Sequence, residues 1–240
     1  MSDDKKAPVR TEGLAPAEAS SRAEIDLFLE LVRRAPATPP AGERGRLVFA
    51  LDATMSRQPT WDRACRLQAE MFQETASIGG LSVQLVYFRG FNECRASKWT
   101  EDATRLADLM SRIDCRGGTT QIRKVLRHAR DEAGRKPVQA LVYVGDCMEE
   151  NVDELCALAG ELGMLRVPAF MFHEGREPTA ERAFREIARL TSGAYCSFDS
   201  SSSGQLRELL RAVAVYAAGG RKALARYGDR GAQLLLEQLK

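Results

Sequence analysis

The stretch "FALDATMSRQPTW" at residues 49–61 leaves an apolar run and sets Asp52, Thr54 and Ser56 on alternate positions. One carboxylate and two hydroxyls within five residues are hard oxygen donors. Mg²⁺ takes such donors in an octahedral shell at about 2.0–2.1 Å and keeps several waters. Asp, Ser and Thr are also the ordinary residues of a strand-to-helix turn, so this stretch alone leaves both readings open. Two further clusters enlarge the set. In "DCRGGTTQIRK" (114–124), Gly117 and Gly118 allow a tight turn, and Thr119 projects at the start of a helical pattern. In "VQALVYVGD" (138–146) an apolar run ends on Asp146. The candidate ligands are then Asp52, Thr54, Ser56, Thr119 and Asp146.

Elements of alternating type must hold these loops together. "RLVFALD" (46–52), "LSVQLVYFR" (81–89) and residues 138–146 are nearly continuous apolar runs, as expected of strands covered on both faces. "PAFMF" (168–172) and "AYCSF" (194–198) follow, the former starting at Pro168 because proline fits only a strand's first residue. Between them lie stripes of helical period: Leu106/Leu109/Met110/Ile113, Ile122/Val125/Leu126/Ala129, Val152/Leu155/Cys156/Ala159, Ala180/Ala183/Phe184/Ile187/Ala188 and Leu206/Leu209/Leu210/Val213. This alternation predicts an α/β fold, an open, mostly parallel, doubly wound sheet with helices on both faces. In such sheets ligands collect at the carboxyl ends of the strands, where the strand order reverses. Asp52 and Asp146 share that crevice if their strands are neighbours.

The expected organisation is a disordered tail over 1–18, an amphipathic helix and Pro-rich linker over 19–44, the main domain over 45–217 and a helical tail over 218–240. "YFRGFNECRASKW" (87–99) leads into an edge strand, with Phe91 and Trp99 as core residues. The 44% hydrophobic and 28% charged fractions suit a globular chain, and the net charge of +2 supplies no footprint for nucleic acid. No signal-peptide core or membrane-length run is present, so a cytoplasmic location without membrane contact is expected. Cys65, Cys94, Cys115, Cys147, Cys156 and Cys196 are scattered, without metal-binding spacing, and read as reduced small hydrophobes. Cys94, Cys115 and Cys147 fall in loops at one end of the fold, where a redox or metal role is the alternative reading. His128 and His173 read as surface or helix-cap residues.

"DATMS", then "GGT", then "GD" after an apolar strand resembles the metal-ion-dependent adhesion site of von Willebrand factor A-type domains, here of the intracellular bacterial type. That pattern is Asp-x-Ser-x-Ser, a Thr before a helix and an Asp ending a later strand, and the resemblance spans about residues 45–217. Thr54 stands in place of the first Ser and keeps its hydroxyl, whereas "VGDCMEE" replaces the common Thr-Asp-Gly. The resemblance implies Thr54, Ser56 and Thr119 as hydroxyl ligands of Mg²⁺ or Mn²⁺, with Asp52 and Asp146 holding waters or one direct bond. A site led by neutral hydroxyls leaves the ion short of negative charge, and a partner's Asp or Glu completes its shell. The implied function is non-enzymatic protein interaction, with a partner such as an ATPase or a multi-protein assembly. Met55, Arg57, Gln58, Asn92, Glu93, Arg116, Met148, Glu149 and Glu150 would form the rim. Two rivals are a scaffold with a vestigial metal site and a haloacid-dehalogenase-like, Mg²⁺-dependent phosphatase. The latter needs a second acid two residues after its nucleophilic Asp to protonate the leaving group, and position 54 is Thr.

Overall fold

The computed structural model describes residues 23, 26, 44–58, 61, 81–198 and 203–226. Apart from the helical residues Ala23 and Asp26, the expected N-terminal tail, helix and linker lie outside them, as does the short helix expected around Leu235. Strand β1 (Gly45–Asp52) is followed by a 3₁₀ turn (Met55–Arg57), then by β2 (Leu81–Arg89) and β3 (Glu93–Ala96). Next come α1 (Ala103–Ser111), α2 (Ile122–Arg135), β4 (Ala140–Gly145), α3 (Val152–Met164), β5 (Ala169–Glu174), α4 (Pro178–Leu190), β6 (Ala194–Phe198) and α5 (Ser203–Arg226). The six strands form one sheet in the order β3-β2-β1-β4-β5-β6. All pairings are parallel except that of the edge strand β3 with β2.

The two faces of β1 explain its unbroken apolar sequence. Leu47, Phe49 and Leu51 enter one core with residues of α1 and α5, while Val48 and Ala50 enter a second with α2, α3 and α4. Every residue of β1 is buried, because both neighbouring strands and both helical layers cover it. Strand order reverses between β1 and β4, so their carboxyl ends frame the crevice where parallel sheets place their sites. Helix starts carry the expected side-chain caps: Asp102 for α1, Asn151 for α3 and Glu177, ahead of Pro178, for α4.

The opposite end of β1 is held by a polar cluster. Arg46 forms an ion pair with Glu132 of α2 at 2.8 Å, Trp99 Nε1 donates to the same carboxylate at 2.8 Å, and the Arg46 guanidinium lies 3.9 Å over the Trp99 ring. One turn away, His128 Nε2 meets Gln84 Oε1 at 2.8 Å, and burial lowers the pKa of the ring despite the nearby Glu132 and Asp131. A base whose folded pKa lies below its unfolded value takes up protons on unfolding. The folded state therefore loses stability as pH falls through the unfolded value near 6.5 towards the folded one. In urea titrations between pH 7.5 and 5.5, His128→Gln is expected to flatten that decline relative to the wild type.

Four expectations need correction. Phe91, expected in the core, is 81% exposed at the β2–β3 turn, whereas Trp99 is half-buried. Cys94 lies on β3, not in a loop. His173 lies within β5, fully buried. Helix α5 continues to Arg226 through Gly219 and Gly220, past the boundary placed at 217. It packs so closely on β1 that a Cβ at Gly45 would lie 1.7 Å from the carbonyl oxygen of Ala217, so only glycine fits there. Among the described residues, no helix is long and apolar enough to cross a membrane.

Candidate metal centre

Asp52 is the last residue of β1 and Asp146 follows the last residue of β4, its hydrogen-bonded neighbour. The chain therefore delivers two carboxylates to one point. Ligand atoms of Asp52, Asp146 and Cys147 all lie within 4.8 Å of one another, which makes them a group able to hold a metal ion. Asp52 has no exposed surface; its Oδ1 accepts the backbone N–H of Thr54 at 2.8 Å, while Oδ2 has no partner. Oδ1 of Asp146 is likewise buried and unpartnered. Burial pushes the Asp52 carboxyl up to about 6, the hydrogen bond from Thr54 opposes that, and the charge of Asp146 adds to it. Two neighbouring carboxylates, each with a buried oxygen left unpartnered, are costly, and a cation between them would offset that cost.

The hydroxyls are arranged around this pair. Thr54 is buried and its Oγ1 lies 3.1 Å from the Oγ of the exposed Ser56. The loop before α2 is pinned to the same place, since Arg116 N–H donates to the Ala53 carbonyl at 3.0 Å and Thr119 N–H donates to that of Gly90 at 3.3 Å. The Thr119 side chain is exposed at this end of the sheet. The next residue, Thr120, is buried and engaged elsewhere: its Oγ1 accepts from Glu149 N, and its N–H donates to the Glu149 carboxylate, both at 3.1 Å.

Close backbone approach sets the position of this loop. A Cβ on Gly118 would lie 2.0 Å from the carbonyl oxygen of Gly90, a residue at φ +62°. Gly118→Ala must separate the loop from the β2–β3 turn, and overpacking against backbone costs about 1–3 kcal/mol. Thermal denaturation is expected to register that loss, and metal titration a weaker site, because Thr119 moves with the loop.

Rim residues divide. Met55 is 53% exposed, and Arg116 and Glu149 are also exposed. Glu93 is half-buried between Arg89 and Arg95, with Arg89 bonded also to Asp114. Arg57 and Met148, expected on the rim, are buried at 1% and 6% exposure. Arg57 turns inward to form an ion pair with Glu174 at the end of β5, Nε to Oε2 2.9 Å. Met148 packs into the α2–α4 core, and its sulfur accepts the N–H of Glu150 at 3.2 Å. Glu150 caps α2, accepting from the N–H groups of Ile122 and Arg123. With Glu149 on Thr120, the two acids of "CMEE" clamp the loop after β4 to the loop before α2.

Two residues at the site were not among the expected ligands or rim residues. Cys147 lies beside Asp52 and Asp146, half-buried, its thiol pushed up to about 12 by burial first and by both carboxylates. Its position next to Asp146 was the available signal. His173 supports the Asp146 backbone: the Asp146 carbonyl can only accept, so Nε2 carries the proton and donates at 3.1 Å. The Nδ1 atom then accepts from the Tyr195 hydroxyl at 3.0 Å.

No family model matches the sequence, and no curated protein matches it. Solved structures do. The chain is similar to the SpRpn10 VWA domain at 14% identity, over 72% of this chain and 94% of that one, with a TM-score of 0.55. It is similar to the PilB minor pilin from Streptococcus sanguinis at 11% identity, over 80% and 65%, with a TM-score of 0.56. It is similar also to the human COPII-coat protein Sec24c at 13% identity, over 73% and 32%, with a TM-score of 0.53. The chain thus spans about two-thirds of the pilin and about a third of the coat protein. At these identities the likeness is one of fold, and the fold is VWA-like, as expected from the sequence.

Proposed function

We propose that the protein is a docking module that captures an acidic group of a protein partner through a divalent cation. The observation that carries this reading is the pair of carboxylates, Asp52 and Asp146, brought within reach of one ion at the switch point of the sheet, each with one buried, unpartnered oxygen. In this reading Thr54, Ser56 and Thr119 supply hydroxyl ligands to Mg²⁺ or Mn²⁺, and Asp52 and Asp146 bind it directly or through water. The residues fit such an ion: hard oxygens, two of them lacking any other partner. Ser56, Thr119 and Met55 are exposed around this end of the sheet, so a carboxylate from outside can approach.

Catalysis is not part of the proposal. Asp52 is anchored through Oδ1 by the Thr54 N–H, and position 54 offers a hydroxyl where phosphatase chemistry requires an acid. Calorimetric titration with Mg²⁺ and Mn²⁺ is expected to give one site in the wild type and none in Asp146→Ala, with both folded by circular dichroism. Capture of a partner should then fail in chelator and in Asp146→Ala alike. A folded wild type that binds no ion, and whose partner capture ignores chelator, would instead support a scaffold with a vestigial site.

A further inference from the structure

The family pattern described above has glycine after the late Asp, with no side chain to offer, whereas this chain has Cys147 there. Its sulfur falls in the same group of mutually close ligand atoms as the oxygens of Asp52 and Asp146. A cysteine alone would mean little. Here it sits beside Asp52, a wholly buried carboxylate whose Oδ2 has no partner, and beside the buried, unpartnered Oδ1 of Asp146. Two carboxylates and one thiol are the donor set of a borderline-soft ion, because thiolate binds Zn²⁺ or Co²⁺ strongly and Mg²⁺ poorly.

We infer that Cys147 is a metal ligand, and that the Asp52–Asp146–Cys147 group makes the centre a thiolate-containing site that takes Zn²⁺ in preference to Mg²⁺. The inference rests on the docking reading in that it concerns the same centre, and it changes which ion that centre holds. Ligand atoms lie about 2.0–2.3 Å from zinc, so two of them at a tetrahedral angle on one ion are about 3.3–3.7 Å apart. A spread of up to 4.8 Å therefore asks for as much as about an ångström of closure. Cys147 is half-exposed, so its side chain can turn without disturbing the core. On binding, the sulfur gives its proton to solvent and its electron pair to the ion. Three protein ligands leave one tetrahedral position open to water or to an outside donor.

Zinc affinity above magnesium affinity is not a sufficient test, since most sites rank the two that way. The decisive readout is sulfur itself. The full-length protein, reduced and stripped of metal, is titrated with Co²⁺, Zn²⁺ and Mg²⁺, alongside Cys147→Ser, Cys147→Ala and Cys94→Ser. The wild type is expected to show a sulfur-to-cobalt charge-transfer band in the near ultraviolet. Cys94→Ser keeps that band and both Cys147 variants lose it. Zinc binding should weaken by about tenfold or more in Cys147→Ser, with magnesium binding changed by less than about twofold. Absence of the band in the wild type, or its survival in both folded Cys147 variants, overturns the inference. If magnesium still binds in a manner lost in Asp146→Ala, the docking reading outlives it. If none of the three ions binds to the folded wild type, both fall.

Discussion

Asp52→Asn is expected to abolish cation binding and, in chelator, to make the protein more stable than the wild type. The two effects have one cause. Asp52 is completely buried, its Oδ2 lacks a partner, and burial together with Asp146 holds its carboxyl up at about 6. At neutral pH the group is nevertheless mostly ionised, at an unfavourable place. Asparagine keeps an oxygen for the Thr54 N–H and turns an N–H donor towards the carboxylate of Asp146. A displacement of about two pKa units corresponds to roughly 3 kcal/mol, so the gain should be on the order of 1–3 kcal/mol. The same change removes one of the charges that bind the ion, and affinity should fall on the order of a hundredfold or more. Denaturant titration in chelator and calorimetry with Mn²⁺ separate the two. A variant less stable than wild type in chelator would mean that these carboxylates are not in conflict, and the main support for the metal centre would go with it.

Glu174→Ala should produce the largest loss of stability. The Arg57 side chain is wholly inaccessible, and Glu174, itself nearly buried, lies against it across the end of the sheet. Removing the acid leaves a buried guanidinium without its carboxylate, which costs about 3–5 kcal/mol. Replacing both partners with apolar residues, as in Arg57→Met with Glu174→Leu, should cost far less, because the desolvation of both charges disappears as well. Urea denaturation of the two single variants and the double variant measures the coupling. Arg57 immediately follows Ser56, so the cation site should weaken in all three. Equal stability of Glu174→Ala and wild type would show that the pair contributes nothing.

The sheet was legible in the sequence because its inner strands β1, β4 and β5 are buried along almost their whole length, which calls for long apolar runs. Helix α5 was misjudged at its end for an equally physical reason. Gly219 and Gly220 read as a break, yet glycine inside a helix costs only about 1 kcal/mol relative to alanine, and packing of the preceding turn outweighs it. Residues Ala212 to Ala217 are all buried against the sheet, which carries the helix onward to Arg226. Position 45 records the same closeness from the other side.

At the site, Asp52 and Asp146 could be found because a polar residue ending an apolar strand is visible without coordinates. The direction of a loop side chain is not. Arg57 and Met148 flank site residues, and adjacency suggested a rim, but one turns in to an acid from a strand more than a hundred residues away and the other joins a core. His173 looked polar and therefore exposed; its burial depends on Tyr195 and the Asp146 carbonyl, which only tertiary structure brings to it. For Cys147 a metal role was only the lesser reading because the cysteines lack metal-binding spacing, a rule made for sites built within one short segment.

The central place of β1 bears on how the molecule comes into being. Its later partner, β4, is distant in the chain: Arg46 and Gln139, bonded to each other at the strand starts, are 93 residues apart. During synthesis β1 emerges early and can pair with β2, while its other edge waits for β4. Until then a strand with an apolar run from Leu47 to Leu51 presents an open edge, the kind of surface that invites association with other nascent chains. The two carboxylates meet only when that edge closes. Their repulsion is thus absent while β1 and β2 pair and arises only when β4 joins β1, so a cation has nothing to bind before that long-range pairing. The ion should accordingly slow unfolding far more than it speeds folding.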